Sequence, residues 1–173
     1  MALIEKFINN NNTQHLFQKK DRLLIAVSGG ADSVVLCELC HLAGFEFEIA
    51  HCNFQLRGDE SERDEKFVRS LGEKYRAEVF VKRFETNAYA EKKKISIQVA
   101  ARELRYSWFD ELIKHTSKLK PDTSYLLTAH HANDNIETVM MNFFKGTGIV
   151  GLRGILPKQG HIIRPLLFAK KEE

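Results

Sequence analysis

The sequence predicts an α/β fold with a doubly wound, mostly parallel sheet. Short apolar segments of strand character alternate along the chain with amphipathic segments of helical periodicity, an alternation typical of parallel sheets covered on both faces. A Gly-Gly turn within residues 28–33 joins the first apolar segment to an apolar helix. The chain has 173 residues, of which 43% are hydrophobic, so it is long enough for one domain with a substantial core.

The first half of the chain carries three predicted strands with helices between them. An amphipathic N-terminal helix is expected to end in the asparagine run 9–12, so that residues 1–20 form a helix and a connector and residues 21–173 form the domain. Ser61 and Asp64 have the spacing of a capping box, so the helix after the second strand is expected to start near Ser61. The strands are predicted at residues 22–27, 45–50 and 77–82, and the helix after the first strand runs through about residue 44.

The second half of the chain continues the alternation. Apolar residues at helical spacing predict a long helix over 96–115 and another over 133–144. Strands are predicted at 124–129 and at 161–164. The glycine-rich segment 146–151 is expected to form a loop.

Composition and charge exclude several classes of protein. No segment approaches the roughly 20 apolar residues of a membrane helix, and the first residues lack the charged and apolar regions of a signal peptide. We therefore expect a cytoplasmic protein without a membrane partner. The net charge of +3 is compatible with nucleic acid but does not identify it as a ligand.

The three cysteines do not form a disulfide framework. Cys37 and Cys40 have CxxC spacing, which is also found in redox and zinc sites. They lie in an almost entirely apolar helical segment, and no second cysteine pair completes a metal site. Core packing is the favoured interpretation, because unpaired cysteines behave as small apolar residues.

Residues 28–33, with the sequence SGGADS, have the features of an anion-binding loop. Glycines let the backbone approach a ligand closely, and the free N–H groups of the following helix favour negative charge. The hydroxyls of Ser28 and Ser33 add donors, and the Asp32 carboxylate can hold a divalent cation. The loop lacks the lysine of a Walker A motif, so we expect a nucleotide polyphosphate ligand without ordinary γ-phosphate transfer.

Polar residues follow three of the predicted strands and should meet at one edge of the sheet. They are the loop at 28–33, His51–Asn53 after the second strand, and His130–Asp134 after the fourth. Because ligands of such sheets gather outside the carboxyl ends of the strands, this convergence predicts an active site there.

The segments SGGADS, HCNFQLRGDESERDE, AARELRY, AHHANDNIET and GTGIVGLRGI with RPLL occur in this order. The first resembles the signature of the PP-loop ATP pyrophosphatases. Together they resemble the catalytic domain of tRNA(Ile)-lysidine synthase, over about residues 20–168. This resemblance implies a Rossmann-like fold of the adenine nucleotide α-hydrolase type.

The resemblance implies a ligase that uses ATP and Mg²⁺. The family activates C2 of the wobble cytidine, position 34, in the CAU anticodon of an isoleucine tRNA. Free L-lysine then attacks C2 and AMP leaves, which gives lysidine. The two alternatives are another PP-loop enzyme that modifies tRNA, for example by thiolation, and an ATP-binding module without turnover. The resemblance also suggests a homodimer, and relatives continue beyond the end of this chain.

The implied nucleotide site comprises the loop and the end of the second strand, with Asp32 as a catalytic residue and Mg²⁺ ligand. The alternative for Asp32 and Ser33 is capping of the helix, and the alternative for His51 is packing at a strand end. The family usually has a second histidine where this chain has Phe54. The ATP-binding residues are Ser28, Gly29, Gly30, Ala31, Asp32, Ser33, Ala50 and His51.

Two pairs of charged residues are assigned to the other substrates. Arg102 and Arg105 share a helix face, and we expect one of them, Arg102 first, to act at the α-phosphate and Arg105 to contact tRNA. Asp134 and Glu137 are assigned to lysine binding, with Asp134 also catalytic. Complementarity to the helix dipole and a transition-metal site with His130 and His131 are the alternatives for this acidic pair.

The glycine-rich segment is basic at both ends. Lys145 and Arg153 flank it and are assigned to the anticodon loop, whose splayed bases and phosphates a mobile basic loop can contact. Asn133 stands where many relatives have an acid, so it receives no charged role.

Overall fold

The computed structural model describes residues 2–116, 124–145 and 154–171. The helices are α1 (Leu3–Gln14), α2 (Ala31–Leu42), α3 (Asp59–Tyr75), α4 (Thr86–Lys93), α5 (Ile97–Thr116) and α6 (Ala132–Phe144). The strands are β1 (Arg22–Ala26), β2 (Glu48–Asn53), β3 (Val79–Arg83), β4 (Ser124–Leu127), β5 (Lys158–Gln159) and β6 (Ile162–Ile163).

The strands form one sheet in the order β3-β2-β1-β4-β6-β5. Every pairing is parallel except that of β5 with β6. The chain adds β2 and then β3 on one side of β1, and it later adds β4 and β6 on the other side of β1. The predicted α/β architecture is therefore confirmed, and the order of strands switches direction between β1 and β4, where ligands of such sheets bind.

Apolar side chains of β1 alternate between the two faces of the sheet, and each face is covered by helices. Leu23 and Ile25 belong to a core with buried residues of α1, α2 and α3. Leu24 packs in a second core with Trp108 and Phe109 of α5. This double covering explains the near-continuous hydrophobic run of β1. Among the described residues no helix is long and apolar enough to cross a membrane.

Helix α1 continues through the asparagine run, so the predicted connector at 9–12 is wrong. The helix ends at Gln14, and His15 adopts the left-handed conformation that closes it. Asn11 is buried, and its amide donates to the Phe17 carbonyl (3.0 Å) and accepts from the Phe17 N–H (3.3 Å). This side chain therefore fixes the chain just after the helix, where the prediction relied only on asparagine's preference for turns.

The predicted capping box of α3 is also wrong. The helix begins at Asp59, after Gly58, whose φ of +51° suits glycine. Ser61 Oγ lies inside the helix and accepts from the Arg57 N–H (3.2 Å). Helix α4 and the β5–β6 hairpin were not predicted, β2 extends to Asn53 rather than ending at residue 50, and β4 and β6 are shorter than expected.

Cys37 and Cys40 are buried in the first core, which confirms that they pack rather than form a site. Burial raises the pKa of Cys37 to about 12 and also raises the pKa of Cys40. Both thiols are therefore protonated and unreactive at neutral pH.

Candidate functional site

A cleft of about 290 Å³ opens at the carboxyl edge of the sheet. The loops after β1 and β4 form two of its walls, β2 forms part of its floor, and α5 closes the remaining side. It is lined by Ala26, Val27, Ser28, Gly30, Asp32, Ser33, Ala50, Cys52, Phe54, Arg105, Tyr106, Phe109, Thr128, Ala129, His130 and Asp134. The predicted convergence of loops is thus present in the structure.

The loop at 28–33 is shaped by its own serines. Gly29 has a φ of +92°, and a Cβ there would lie 3.4 Å from Asp64 Cβ. Ser28 Oγ accepts from the Gly30 N–H (3.2 Å), and Ser33 Oγ donates to the Gly30 carbonyl (2.8 Å). No side chain caps the start of α2. Among the described residues the N–H groups of its first turn therefore have no side-chain cap, and Gly30, Asp32 and Ser33 line the cleft, as an anion site requires.

Residues 2–173 match the family model of the PP-loop domain (ATP_bind_3). The chain belongs to the PP-loop family. Membership in this family makes the chain an ATP-binding domain. The uncapped loop at 28–33 carries the sequence that resembles the PP-loop signature, and we call it the PP-loop.

Curated relatives at high identity are tRNA(Ile)-lysidine synthases. The chain is 48% identical to that of Bacteroides thetaiotaomicron over 98% of its own length and 38% of the relative. It is 43% identical to the enzyme of Chlorobaculum tepidum, covering 97% of the chain and 51% of the relative. For Thermosipho africanus the identity is 40%, covering the whole chain and 40% of the relative. The chain therefore spans between about a third and a half of these relatives.

Solved structures confirm the fold at low sequence identity. A U34-tRNA thiolase from Methanococcus maripaludis, solved with its [4Fe-4S] cluster, superposes with a TM-score of 0.65 at 19% identity, covering 97% of this chain and 62% of that one. An NMN synthetase from Francisella tularensis gives a TM-score of 0.59 at 16% identity, covering 98% and 65%. Both support the adenine nucleotide α-hydrolase type of sheet.

Two carboxylates meet at His131 beside the PP-loop. The His131 Nε2 atom lies 3.7 Å from Asp32 Oδ2, and its Nδ1 atom lies 3.4 Å from Asp134 Oδ2. The Asp134 carboxylate also accepts from the His131 N–H (2.8 Å). Asp32 and Asp134 line the cleft, and their side chains are 45% and 36% exposed. Both predicted acids are thus accessible to a ligand, although Asp134 also stabilises the start of α6.

The acidic pair is not brought together in the cleft. Glu137 is exposed on α6 and does not line the cleft, in contrast to Asp134. Within the described parts of the chain, no three His, Cys, Asp or Glu side chains are close enough to hold a metal ion. The alternative of a transition-metal site at His130 and His131 therefore receives no support from the geometry.

The two arginines of α5 take different positions. Arg105 lines the cleft, and its guanidinium lies 5.3 Å from the centroid of the Phe54 ring. Arg102 is exposed and lies 5.3 Å from the centroid of the Tyr106 ring, outside the lining residues. The structure thus places Arg105, rather than the favoured Arg102, at the cleft. Phe54, which replaces the usual second histidine, serves as a platform for Arg105.

His51 contacts the residue that precedes the PP-loop. It is buried, and its Nδ1 lies 2.8 Å from the Val27 carbonyl. Because a carbonyl only accepts, Nδ1 carries the proton. His51 lines a neighbouring recess of about 200 Å³ rather than the main cleft. This contact favours the packing alternative, whereas Ala50 does line the cleft and accepts from the Val27 N–H (2.9 Å).

Several cleft residues escaped the sequence analysis. Tyr106 and Phe109 belong to the apolar pattern of α5 and gave no separate signal. Thr128 Oγ1 lies 2.9 Å from His130 Nδ1, so these two residues form one wall together. Burial lowers the pKa of His130, and the charge of Arg164 adds to this effect while Asp134 opposes it. His130 is therefore neutral at physiological pH.

The predicted tRNA contacts are only partly described. Lys145 is exposed at the end of α6. Arg153 and the segment 146–151 lie outside the described residues. Asn133 Oδ1 accepts a hydrogen bond from the Lys171 N–H (3.2 Å). This contact is neutral, and the sequence analysis assigned no charged role to Asn133.

Proposed function

We propose that this chain is the catalytic domain of a tRNA(Ile)-lysidine synthase. It uses ATP to activate C2 of cytidine 34 in the CAU anticodon and then joins lysine to that carbon, releasing pyrophosphate and AMP. The observation that carries the proposal is the PP-loop cleft in a chain that is 40–48% identical over nearly its whole length to three relatives of that name.

The first step is transfer of an adenylate group. The C2 oxygen of cytidine attacks the α-phosphorus of ATP, the bond to the β-phosphate oxygen breaks, and pyrophosphate leaves. Ser28 and residues of the first turn of α2 line the cleft, where the uncapped N–H groups and the hydroxyl can hold the leaving phosphates. Catalysis in such a step is mostly positioning and electrostatic stabilisation. Arg105, exposed at the opposite side of the cleft, supplies a charge for the α-phosphate or for the RNA.

The residues at the PP-loop suit Mg²⁺. Asp32 lines the cleft, and among the described residues its carboxylate pairs with no lysine or arginine and only with His131. Mg²⁺ prefers such oxygen ligands together with substrate phosphates. When bound, Mg²⁺ would neutralise charge on the polyphosphate, and Asp32 is the residue that would hold it.

In the second step the amine of lysine attacks C2, and the bond between C2 and the oxygen of the adenylate breaks to release AMP. Asp134 lines the cleft and can bind the ammonium group or take a proton from the attacking amine. Glu137 follows three residues later on α6 and is exposed, so it can contact the far end of the lysine.

Lys145 and Arg153 are proposed to contact the anticodon loop. A homodimer and a cytoplasmic location stay predictions.

The direct test supplies all three substrates. The chain is incubated with Mg-ATP, labelled lysine and a tRNA(Ile) transcript with the CAU anticodon, and label in RNA is measured together with AMP. We expect equal amounts of incorporated lysine and AMP, and no incorporation into a matched transcript with a GAU anticodon. ATP binding without incorporation, by this chain and by a full-length relative alike, would contradict the proposal.

The cysteines weigh against thiolation. Cys37 and Cys40 are buried in the core, and Cys52, although it lines the cleft, has its pKa raised to about 12 by burial. A thiolate nucleophile or cluster ligand requires a lowered pKa. An ATP-binding module without turnover would not need Asp32, Arg105 and Asp134 at one cleft, and the assay above distinguishes it by the absence of AMP.

A further inference from the structure

Arg164 is a buried arginine without a carboxylate partner among the described residues. Only 9% of it is exposed, and it is absent from the ion pairs of the described chain, whereas Arg22, Arg69 and Arg83 each contact a glutamate. Its Nη1 donates to the Leu156 carbonyl (2.8 Å), and its buried Nε has no hydrogen-bond partner in the described part of the chain. A buried charge left without a counter-charge is costly, and natural proteins keep such charges chiefly at functional sites.

The fold places Arg164 beside the cleft. It directly follows β6, which lies parallel to β4 with Ile163 opposite Leu127. The Thr128 N–H donates to the Ile163 carbonyl (3.0 Å). Arg164 therefore leaves the sheet at its carboxyl edge, next to the wall formed by Thr128 and His130. The PP-loop follows β1, two strands away from β6 in the sheet.

Two further arginines lie on α5. Arg105 lines the cleft directly, and Arg102 lies over Tyr106, which lines it. Neither arginine belongs to an ion pair in the described part of the chain. The charges of Arg164, Arg105 and Arg102 all act on His130, and Asp134 acts in the opposite direction. Arg105 lies on the Phe54 side of the cleft, whereas Arg164 follows β6 on the side of Thr128 and His130.

We propose that Arg164 belongs to a second anion subsite, on the β6 side of the cleft, that takes a phosphate oxyanion. The subsite deepens the proposed function, since it serves a reaction in which a nucleotide and an RNA meet in one cleft. Its ligand is either the α-phosphate of the nucleotide or a backbone phosphate of the RNA. Arginine suits both, because its planar guanidinium binds phosphate oxygens in a bidentate manner.

A structural role for Arg164 makes a different prediction. The hydrogen bond of its side chain goes to a neutral carbonyl, and such a bond does not require a buried charge. Methionine fills a similar volume without desolvating a charge, so Arg164→Met should leave the melting temperature unchanged or raise it. If the arginine serves only the fold, the same substitution should lower the melting temperature and leave ligand binding unchanged.

The test measures stability and affinity on the same variants. Arg164→Met, Arg164→Lys and the control Arg63→Met, which alters an exposed residue of α3, are compared with the wild-type chain. Affinities for AMP and for a short oligocytidylate RNA are measured by titration calorimetry well below each melting transition. We expect Arg164→Met to weaken at least one probe about tenfold or more, Arg164→Lys to recover part of the loss, and Arg63→Met to bind like wild type.

The pattern of loss identifies the phosphate. Weaker binding of AMP alone assigns the nucleotide's α-phosphate, and weaker binding of RNA alone assigns a backbone phosphate. Wild-type affinity of Arg164→Met for both probes would overturn the subsite, as would a wild-type chain that binds neither. A wild-type chain that binds AMP through Arg164 but transfers no lysine would instead contradict the proposed function and leave the subsite in place.

Discussion

The position of the Asp32 carboxylate suits two roles. It lies in the first turn of α2, where an acid complements the helix dipole, and it also faces the cleft beside His131. The dipole effect at an exposed site is small, below about 1 kcal/mol. A metal ligand, in contrast, is required in every catalytic cycle. The two roles therefore separate in measurements of stability and of activity.

Replacing Asp32 by asparagine should remove activity and leave the fold intact. We expect Asp32→Asn to lower the rate of AMP formation by about 100-fold or more, because the neutral amide holds Mg²⁺ poorly. The melting temperature should change by no more than that of Asp59→Asn, a matched variant in the first turn of α3. Near wild-type AMP formation by Asp32→Asn would show that the carboxylate does not serve the reaction.

Glu65 illustrates a buried acid with a structural role. It accepts hydrogen bonds from Asn53 of β2 (2.9 Å), Arg83 of β3 (3.0 Å) and Arg69 of α3 (3.0 Å). Burial alone would raise its pKa, but these hydrogen bonds outweigh burial and lower the pKa to about 2. The charged form thus ties together three elements at the edge where the cleft lies.

The depressed pKa of Glu65 predicts a dependence of stability on pH. Its folded pKa lies below its ordinary value, so its contribution is complete above about pH 4.5 and is lost as the pH falls towards 2. Chemical denaturation of wild type should therefore show the free energy of unfolding falling by up to about 3 kcal/mol in this window. Glu65→Gln should be less stable at neutral pH and show a shallower fall. Parallel pH profiles of the free energy of unfolding for wild type and Glu65→Gln would contradict this account. Glu38→Gln is the matched control, because Glu38 pairs with the exposed Lys74 rather than in a buried cluster.

Local sequence identified some cleft residues and missed others for a physical reason. Ser28, Asp32 and Asp134 lie in loops or at helix starts directly after strands, so the rule for parallel sheets placed them at the edge. Tyr106 and Arg164 gave no such signal, because an aromatic within a helical pattern and an arginine after a short strand have many uses. Only the packing of α5 brings Tyr106 to the cleft, and only the pairing of β6 with β4 brings Arg164 beside it.

At the scale of elements, the strands and helices were predicted well where an apolar period was long. The centre of β1 and the whole of α6 lie close to their expected bounds. The asparagine run failed because tertiary contacts, not intrinsic propensity, decide its conformation. Asn10 and Asn11 make long-range or buried hydrogen bonds that hold α1 against the following chain.

The role of Asn11 in ending α1 can be measured. Asn11→Ala leaves the buried N–H and carbonyl of Phe17 without partners, so we expect the free energy of unfolding to fall by about 1–3 kcal/mol. Asn12→Ala, at an exposed position of the same helix, should change it by less than about 0.5 kcal/mol. Urea denaturation of both variants provides the measurement. Equal free energies of unfolding for Asn11→Ala and Asn12→Ala would indicate that the side chain of Asn11 does not stabilise the end of α1.

At the scale of the whole molecule, topology and cavity size point to opposite edges of the sheet. A larger cavity of about 760 Å³ lies at the amino edge, where Lys19, Arg22, His41 and Arg76 mix with acidic residues. The glutamate partner of Arg22, Glu48, shows that this basic charge is partly compensated. The smaller cleft holds the free helix start of α2 and the switch between β1 and β4. Chemistry therefore favours the smaller cavity as the nucleotide site.

Hydrogen exchange with and without Mg-ATP tests this choice over the whole chain. A ligand that binds only the folded protein slows exchange most where it covers or orders backbone. We expect protection of the amides at 28–33 and 128–134, and unchanged exchange at 19–22 and 44–48, which line the amino-edge cavity. The Asp32→Asn variant, measured in parallel, should show weaker protection at the same loops. Protection confined to the amino edge would move the nucleotide to the larger cavity, because the amides at 19–22 and 44–48 lie at the edge of the sheet opposite the PP-loop.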